Sequence, residues 1–221
     1  MSKLKKYKMF IDGEWVDSES KKTFKTLNPE TNEPWAEVPE ANEKDIDKAV
    51  KAAQKAFEGS WPSLFPRERA SYLRAIANEL RENAELLGKI ETIDTGKLFK
   101  ETKNQANYIA EYYDYYAGLA DKVEGTVLPI DKANMQVITT RVPIGVVAAI
   151  IPWNSQMLLT AVKLAPALAM GNTVVIKSSE LAPATLFEFG KLIEKTKIPK
   201  GVVNIVSGYG DCLLYTSDAA D

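Results

Sequence analysis

Gly145-Val146-Val147-Ala148-Ala149-Ile150-Ile151 is followed first by Thr173-Val174-Val175-Ile176-Lys177 and then by Val202-Val203-Asn204-Ile205-Val206. Each is a short, nearly continuous apolar run, the pattern of a strand buried on both faces of a parallel sheet. Between them the periodicity predicts helices over about 157–169, ended by Gly171, and over about 184–196. The turn Pro199-Lys200-Gly201 leads into the third strand. The order is βαβαβ, the half-unit of an open nucleotide-binding sheet, and the fold class is α/β.

In open parallel sheets, ligands bind beyond the carboxyl ends of the strands. That rule selects Pro152-Trp153-Asn154, Lys177-Ser178-Ser179-Glu180 and Ser207-Gly208-Tyr209-Gly210. Lys177 and Glu180 at one strand end suit the two hydroxyls of a ribose. The carboxylate would repel a 2′-phosphate, which favours NAD over NADP. Asn154 can donate its amide to a developing oxyanion without titrating. Each residue also has a plainer reading. Lys177 and Glu180 can be a surface ion pair, Trp153 a core filler, and Asn154 a turn or helix-start residue. No G-x-G-x-x-G fingerprint occurs, so these residues alone point to a nucleotide-binding half-sheet and no further.

Toward the amino terminus, Asp12-Gly13 between Met9-Phe10-Ile11 and Glu14-Trp15-Val16 predicts a two-residue hairpin. Extended stretches are expected around 24–27 and 35–38, flanking the turn-rich Asn28-Pro29-Glu30-Thr31-Asn32. Asn42 is placed to cap a helix with Ile46, Ala49, Val50, Ala53 and Phe57 on one face. A second helix starts near Pro66 with Ala70, Leu73, Ala77, Leu80, Ala84 and Leu87 as a single stripe. A third covers about 100–121, and its Tyr108, Tyr112, Tyr116 and Leu119 read as core rather than as a stacking platform. Two strands are expected over 123–130 and 135–142, around Asp131-Lys132-Ala133-Asn134.

The 221 residues carry a net charge of −2, which gives no general attraction to nucleic acid or an anionic membrane. The single cysteine leaves no intramolecular disulfide and suits a reducing, cytoplasmic setting. The complete lack of histidine removes Ser-His-Asp and Cys-His catalysis and histidine-ligated metal. No metal ligand set is expected. The longest apolar stretch, 142–153, is interrupted by Pro143 and Pro152 and is too short to span a bilayer.

Beyond these residues, the sequence resembles the aldehyde dehydrogenase superfamily from Met9 to about Gly210. The strongest signatures are Ile151-Pro152-Trp153-Asn154, Lys177-Ser178-Ser179-Glu180, and the stretch 163–175, Lys-Leu-Ala-Pro-Ala-Leu-Ala-Met-Gly-Asn-Thr-Val-Val. Asp94-Thr95-Gly96-Lys97, Tyr115-Tyr116-Ala117-Gly118 and Asn204-Ile205-Val206-Ser207-Gly208-Tyr209-Gly210 support it. The resemblance implies a Rossmann-type open parallel sheet, incomplete here, with an amino-terminal hairpin and helices and an oligomerisation β-arm. It implies NAD as cofactor, a small aldehyde as substrate, and a cysteine thiolate and a glutamate base that lie beyond Gly210 in the family. Asn154 matches the oxyanion-stabilising asparagine. Lys177 and Glu180 match the residues holding the adenosine ribose, and Ile150, Ile151, Pro152, Trp153 and Gly210 match positions lining the dinucleotide groove. The β-arm implies a homodimer or homotetramer. The chain then divides into strands and helices over 1–122, the arm over 123–143, and the first βαβαβ part of the dinucleotide-binding domain over 144–211.

Two features depart from the family pattern. Ser155-Gln156 stands where many relatives carry an aromatic residue and a proline, leaving the subfamily open. CoA-acylating and semialdehyde dehydrogenases of the same superfamily, and a non-catalytic oligomerising or nucleotide-binding protein, remain as alternatives. The last ten residues, from Cys212 to Asp221, match no family pattern and resemble a translated sequencing adaptor. A divergent natural tail is the alternative. The expectation is an amino-terminal fragment, inactive alone and weak or lacking in NAD affinity, with its sheet edge open.

Overall fold

The computed structural model describes residues 4–210. Cys212 and the adaptor-like tail lie outside them. Short strands come first: β1 (Lys5–Lys6), β2 (Met9–Ile11), β3 (Glu14–Val16), β4 (Thr23–Asn28) and β5 (Glu33–Pro39). Asp12 and Gly13, at φ 53° and 71°, make the expected hairpin turn and bring Met9 opposite Val16. β4 and β5 pair antiparallel, and β1 joins β5 in parallel, giving the order β1-β5-β4.

Helix α1 (Glu43–Glu58) opens on a capping box. The Asn42 side chain accepts the Lys44 and Asp45 amides at 3.0 and 3.2 Å, and the Asp45 carboxylate takes the Asn42 amide at 3.0 Å. Asp45 also accepts from Ser18 at 2.8 Å, so the cap pins the helix to the segment after β3. Ile46, Ala49, Ala52 and Ala53 are buried. Val50, expected on this face, is exposed because at 100° per residue it falls at the margin of the buried arc.

The single second helix expected from Pro66 is two helices, α2 (Pro66–Glu82) and α3 (Ala84–Thr95). Asn83 interrupts them at φ −110°, ψ 14°, with its side-chain amide donating to the Glu79 carbonyl at 2.8 Å. The amide thus competes locally for a helix acceptor. All six residues of the stripe are nevertheless buried. Helix α4 (Phe99–Leu119) corrects a second expectation. Its buried face is Ala106, Ile109, Ala110, Tyr113 and Ala117, while Tyr108 and Leu119 are exposed and Tyr112 and Tyr116 only half-buried. The tyrosine stripe lies roughly a third of a turn from the core side. Small residues face the neighbouring helices because α4 approaches them closely. A Cβ on Gly88 of α3 would stand 2.8 Å from the Lys103 amide.

β6 (Val127–Leu128) and β7 (Val137–Ile138) pair antiparallel over two residues each, much shorter than the strands expected there. This ribbon lies outside the two larger sheets. No layer covers it among the described residues, and Val127, Leu128 and Ile138 are exposed.

The last elements are β8 (Val146–Ile150), α5 (Gln156–Ala169), β9 (Thr173–Lys177), α6 (Ala184–Lys195) and β10 (Val203–Val206). The βαβαβ reading holds, and the hairpin adds to the same sheet in the order β3-β2-β10-β9-β8. β2 runs antiparallel to β10, with Phe10 opposite Ile205. Met9, Ile11, Val175 and Val206 pack with Ile46, Ala49 and Ala53 of α1 on one face. Val174, Ile176, Val203 and Ile205 pack with Leu164 of α5 and Phe187 and Ile193 of α6 in the main core. β9 and β10 are buried throughout. β8, expected to be covered on both faces, is instead the sheet edge: Ala149 is its one buried residue and Ile150 is 54% exposed.

Candidate functional site at the strand carboxyl ends

Parallel register brings the three selected segments together. Ile150 lies opposite Lys177, which lies opposite Val206. The ladder continues one step further, with the Ile151 amide donating to the Lys177 carbonyl at 3.0 Å and the Ser178 amide to the Val206 carbonyl at 2.9 Å. Residues 151–154, 177–180 and 207–210 therefore leave one sheet end side by side.

Lys177 is the last residue of a fully buried strand and is itself only 6% exposed. Its ammonium donates to the Glu180 carboxylate at 2.9 Å. Burial pushes the Glu180 carboxyl up, but the hydrogen bond and charge of Lys177 outweigh that and hold it below the usual carboxylate range. It is therefore anionic at neutral pH. The pair is not a freely solvated surface bridge: its cation is held beneath the surface and its carboxylate remains partly accessible.

Around this pair, Pro152, Trp153, Asn154 and Gly210 are exposed, as is Tyr209. Trp153 is 53% exposed and so does not fill the core. Ile150 presents its side chain outward, whereas Ile151 is buried, as strand alternation requires. Ile151 offers the surface no more than backbone. Asn154 immediately precedes Ser155, the N-cap of α5, and its exposed amide is free to meet a ligand oxygen. On the third segment the Ser207 hydroxyl donates to the Pro39 carbonyl at 2.5 Å, and the Tyr209 ring packs 5.5 Å from Phe24. The strand-end loop is thereby braced by the smaller sheet.

A further cluster borders the site that reading along the chain does not single out. Asp94 is buried and accepts from Thr26 at 3.0 Å and from the Ala184 amide at 2.7 Å. Burial pushes its carboxyl up to about 7, against the hydrogen bonds that lower it. Glu91, one turn earlier, is likewise pushed up to about 7 by burial, with the Lys97 charge opposing. The Lys97 ammonium lies 3.9 Å from Glu91 and donates to the Ser155 hydroxyl at 2.5 Å. The signal available was the Asp94-Thr95-Gly96-Lys97 motif. Nothing local in it says that its two ends reach Ala184 and Ser155.

Comparison with known proteins agrees with this architecture. The aldehyde dehydrogenase family model matches residues 15–215. A (Z)-2-((N-methylformamido)methylene)-5-hydroxybutyrolactone dehydrogenase of Acinetobacter baylyi is 48% identical over 94% of this chain and 42% of its own length. The betaine aldehyde dehydrogenase of Bacillus subtilis is 43% identical over 91% of this chain and 41% of its own. Among solved structures, an NAD+ complex of aldehyde dehydrogenase from Bacillus cereus superposes with TM-score 0.92 at 39% identity, covering 96% of this chain and 43% of that one. The chain thus spans about two fifths of the length of these relatives. With the family model matched over nearly its whole length, the chain belongs to the aldehyde dehydrogenase family.

Proposed function

We propose that this chain supplies the dinucleotide-holding part, and the oxyanion donor, of an NAD-dependent enzyme oxidising an aldehyde to a carboxylic acid. The observation that carries the proposal is the Lys177–Glu180 pair, a buried cation bonded to a half-open carboxylate at the registered ends of parallel strands. The two groups offer a donor and an acceptor to vicinal ribose hydroxyls. The anionic Glu180 opposes a 2′-phosphate, which selects NAD. Ile150, Pro152, Trp153 and Gly210 line the groove beside the pair, with Ile151 contributing backbone. NAD, when bound, accepts the hydride. The Asn154 amide, aimed from the end of β8, stabilises the negative charge that develops on the aldehyde oxygen. Nucleophilic thiolate and glutamate-base chemistry belongs to the family's remaining sequence. The NAD+ complex of the Bacillus cereus relative and the dehydrogenase names of the others support this reading.

The exposed apolar ribbon of β6 and β7 supports assembly as a homodimer or homotetramer, with the ribbon covered by a second copy. The single cysteine supports a reducing compartment such as the cytoplasm. Among the described residues no helix is long and apolar enough to cross a membrane. The deciding experiment is NADH formation from an aldehyde by the complete enzyme carrying this segment, with Glu180→Gln as the variant. The proposal expects NAD-dependent turnover, and a loss of NAD-over-NADP preference of about tenfold in the variant. No turnover with any aldehyde, or an unaltered coenzyme preference, would overturn it.

A further inference from the structure

We propose that Ser155 and Lys97 form a polar specificity subsite beside Asn154, selecting aldehydes that carry an acceptor oxygen close to the reacting carbon. The inference rests on the reading of Asn154 as the oxyanion donor and adds the class of aldehyde that donor meets. Ser155 follows Asn154 directly, so a substrate oxygen held by Asn154 has Ser155 as its nearest side-chain neighbour along the chain.

The Ser155 hydroxyl is not spent on the helix it begins. A serine at an N-cap ordinarily accepts from the first helical amides, but Ser155 makes no side-chain cap hydrogen bond. It accepts the Lys97 ammonium at 2.5 Å instead. Accepting from Lys97 leaves its own O–H to donate, and no described residue takes that proton. The lysine brings 58 residues of sequence separation together at this point, and its side chain is 29% exposed. What the pair presents is a hydroxyl donor polarised by a cation. That arrangement attracts a hydroxyl, ether or carbonyl oxygen and repels a quaternary ammonium.

The residue next along the chain and the carboxylate beside Lys97 are polar as well. Gln156 is fully buried with neither amide atom hydrogen-bonded, and the Glu91 carboxylate, 2% exposed, has an oxygen without a hydrogen-bond partner. Buried polar groups without partners cost free energy, and a wall built only to pack a hydrocarbon chain has no use for them. With Glu91 3.9 Å from Lys97, the cation is partly balanced.

The test uses the complete enzyme that carries this segment, saturated with NAD, and compares kcat/KM for glyceraldehyde, butanal and betaine aldehyde. The expected wild-type order is glyceraldehyde first, by about tenfold over either competitor. Ser155→Phe and Lys97→Met should each move the glyceraldehyde-to-butanal ratio about tenfold toward butanal, through KM more than kcat. Thermal unfolding checks each variant, and if Lys97→Met fails to fold, Ser155→Phe at the half-buried helix start decides alone. A wild-type preference for butanal or betaine aldehyde, or an unmoved ratio in the folded variant, overturns the subsite while leaving aldehyde oxidation standing. Failure of the wild type to oxidise any of the three, with NAD still bound, overturns both.

Discussion

The carboxylate of Asp94, at the end of α3, accepts the backbone amide of Ala184, the first residue of α6, at 2.7 Å. The same carboxylate takes the Thr26 hydroxyl of β4 at 3.0 Å. One buried side chain thus ties the smaller sheet and the α2–α4 layer to the helix that follows the Lys177–Glu180 segment. α6 has no side-chain cap of its own, so Asp94 supplies the acceptor its first turn lacks. Asp94→Ala leaves a buried amide and a buried hydroxyl without partners, and should destabilise the fold by about 2–4 kcal/mol. Asp94→Asn keeps an acceptor oxygen and should cost roughly half as much. Chemical denaturation of the two variants checks the order. Equal losses would mean that the site responds to volume rather than to the hydrogen bonds.

A pH dependence with a definite sign follows from Asp94 and its neighbour Glu91. Burial raises both carboxyls, from ordinary values of 3.8 and 4.5 to about 7. The folded state therefore holds protons that the unfolded chain has released, and these two groups lower stability as pH rises from about 4 to about 7. Asp94→Asn and Glu91→Gln remove that slope. In melting temperature measured between about pH 4.5 and pH 8, the wild type should gain on the double variant as pH falls. Parallel profiles would show that neither group is protonated in the folded protein.

Most of the architecture is legible along the chain because it is written in short-range chemistry. Asp12-Gly13 makes its turn and Asn42 its cap through contacts within three residues. The three apolar runs declare parallel strands, and the strand-end rule then finds Lys177 and Glu180 without further help. Features decided by a distant partner are not legible. Tyr113 rather than Tyr112 faces the core because of how α2 and α3 sit against α4. β8 reads as buried from its composition, and it is an edge because nothing described pairs with its outer side. Lys97 meets Ser155 only after a helix, a ribbon and a strand have been laid between them.

The closeness of α3 and α4 makes a sharp steric prediction. A Cβ on Gly88 would stand 2.8 Å from the Lys103 amide and 2.9 Å from its Cα, both backbone atoms that cannot rotate away. Gly88→Ala gains helix propensity of up to about 1 kcal/mol, yet it must push the helices apart. The steric term should win, giving a net loss of about 1–3 kcal/mol. A stabilised Gly88→Ala protein in thermal melts would show that α3 and α4 leave room for a Cβ between them.

The entrance to β8 rests on a single amide. The Asn172 side-chain oxygen accepts the Ile144 and Gly145 backbone amides at 2.8 and 3.1 Å, while its own backbone carbonyl takes the Trp61 indole at 2.9 Å. Asn172 thereby sets where the edge strand begins. Among the described residues β8 pairs with β9 alone, and its entry point bears on its register and so on the position of Asn154 at its far end. Asn172→Ala should cost about 1–3 kcal/mol, chiefly for the buried Gly145 amide it orphans. Asn172→Asp retains the acceptor but sets a second oxygen against the Ala167 carbonyl that the Asn172 amide now meets at 3.3 Å, and should recover only part of that loss. The effect should also reach the far end of the strand. In the complete enzyme, Asn172→Ala should lower kcat while leaving NAD affinity, proposed to rest on Lys177 at the end of β9 and Glu180 just beyond it, within about threefold. Hydrogen exchange at Val146–Ile150 should quicken in the same variant, since a strand with a loosened start opens locally. Loss of NAD affinity in step with kcat would instead mean that β8 and β9 yield together, and that Asn172 holds the sheet rather than its edge.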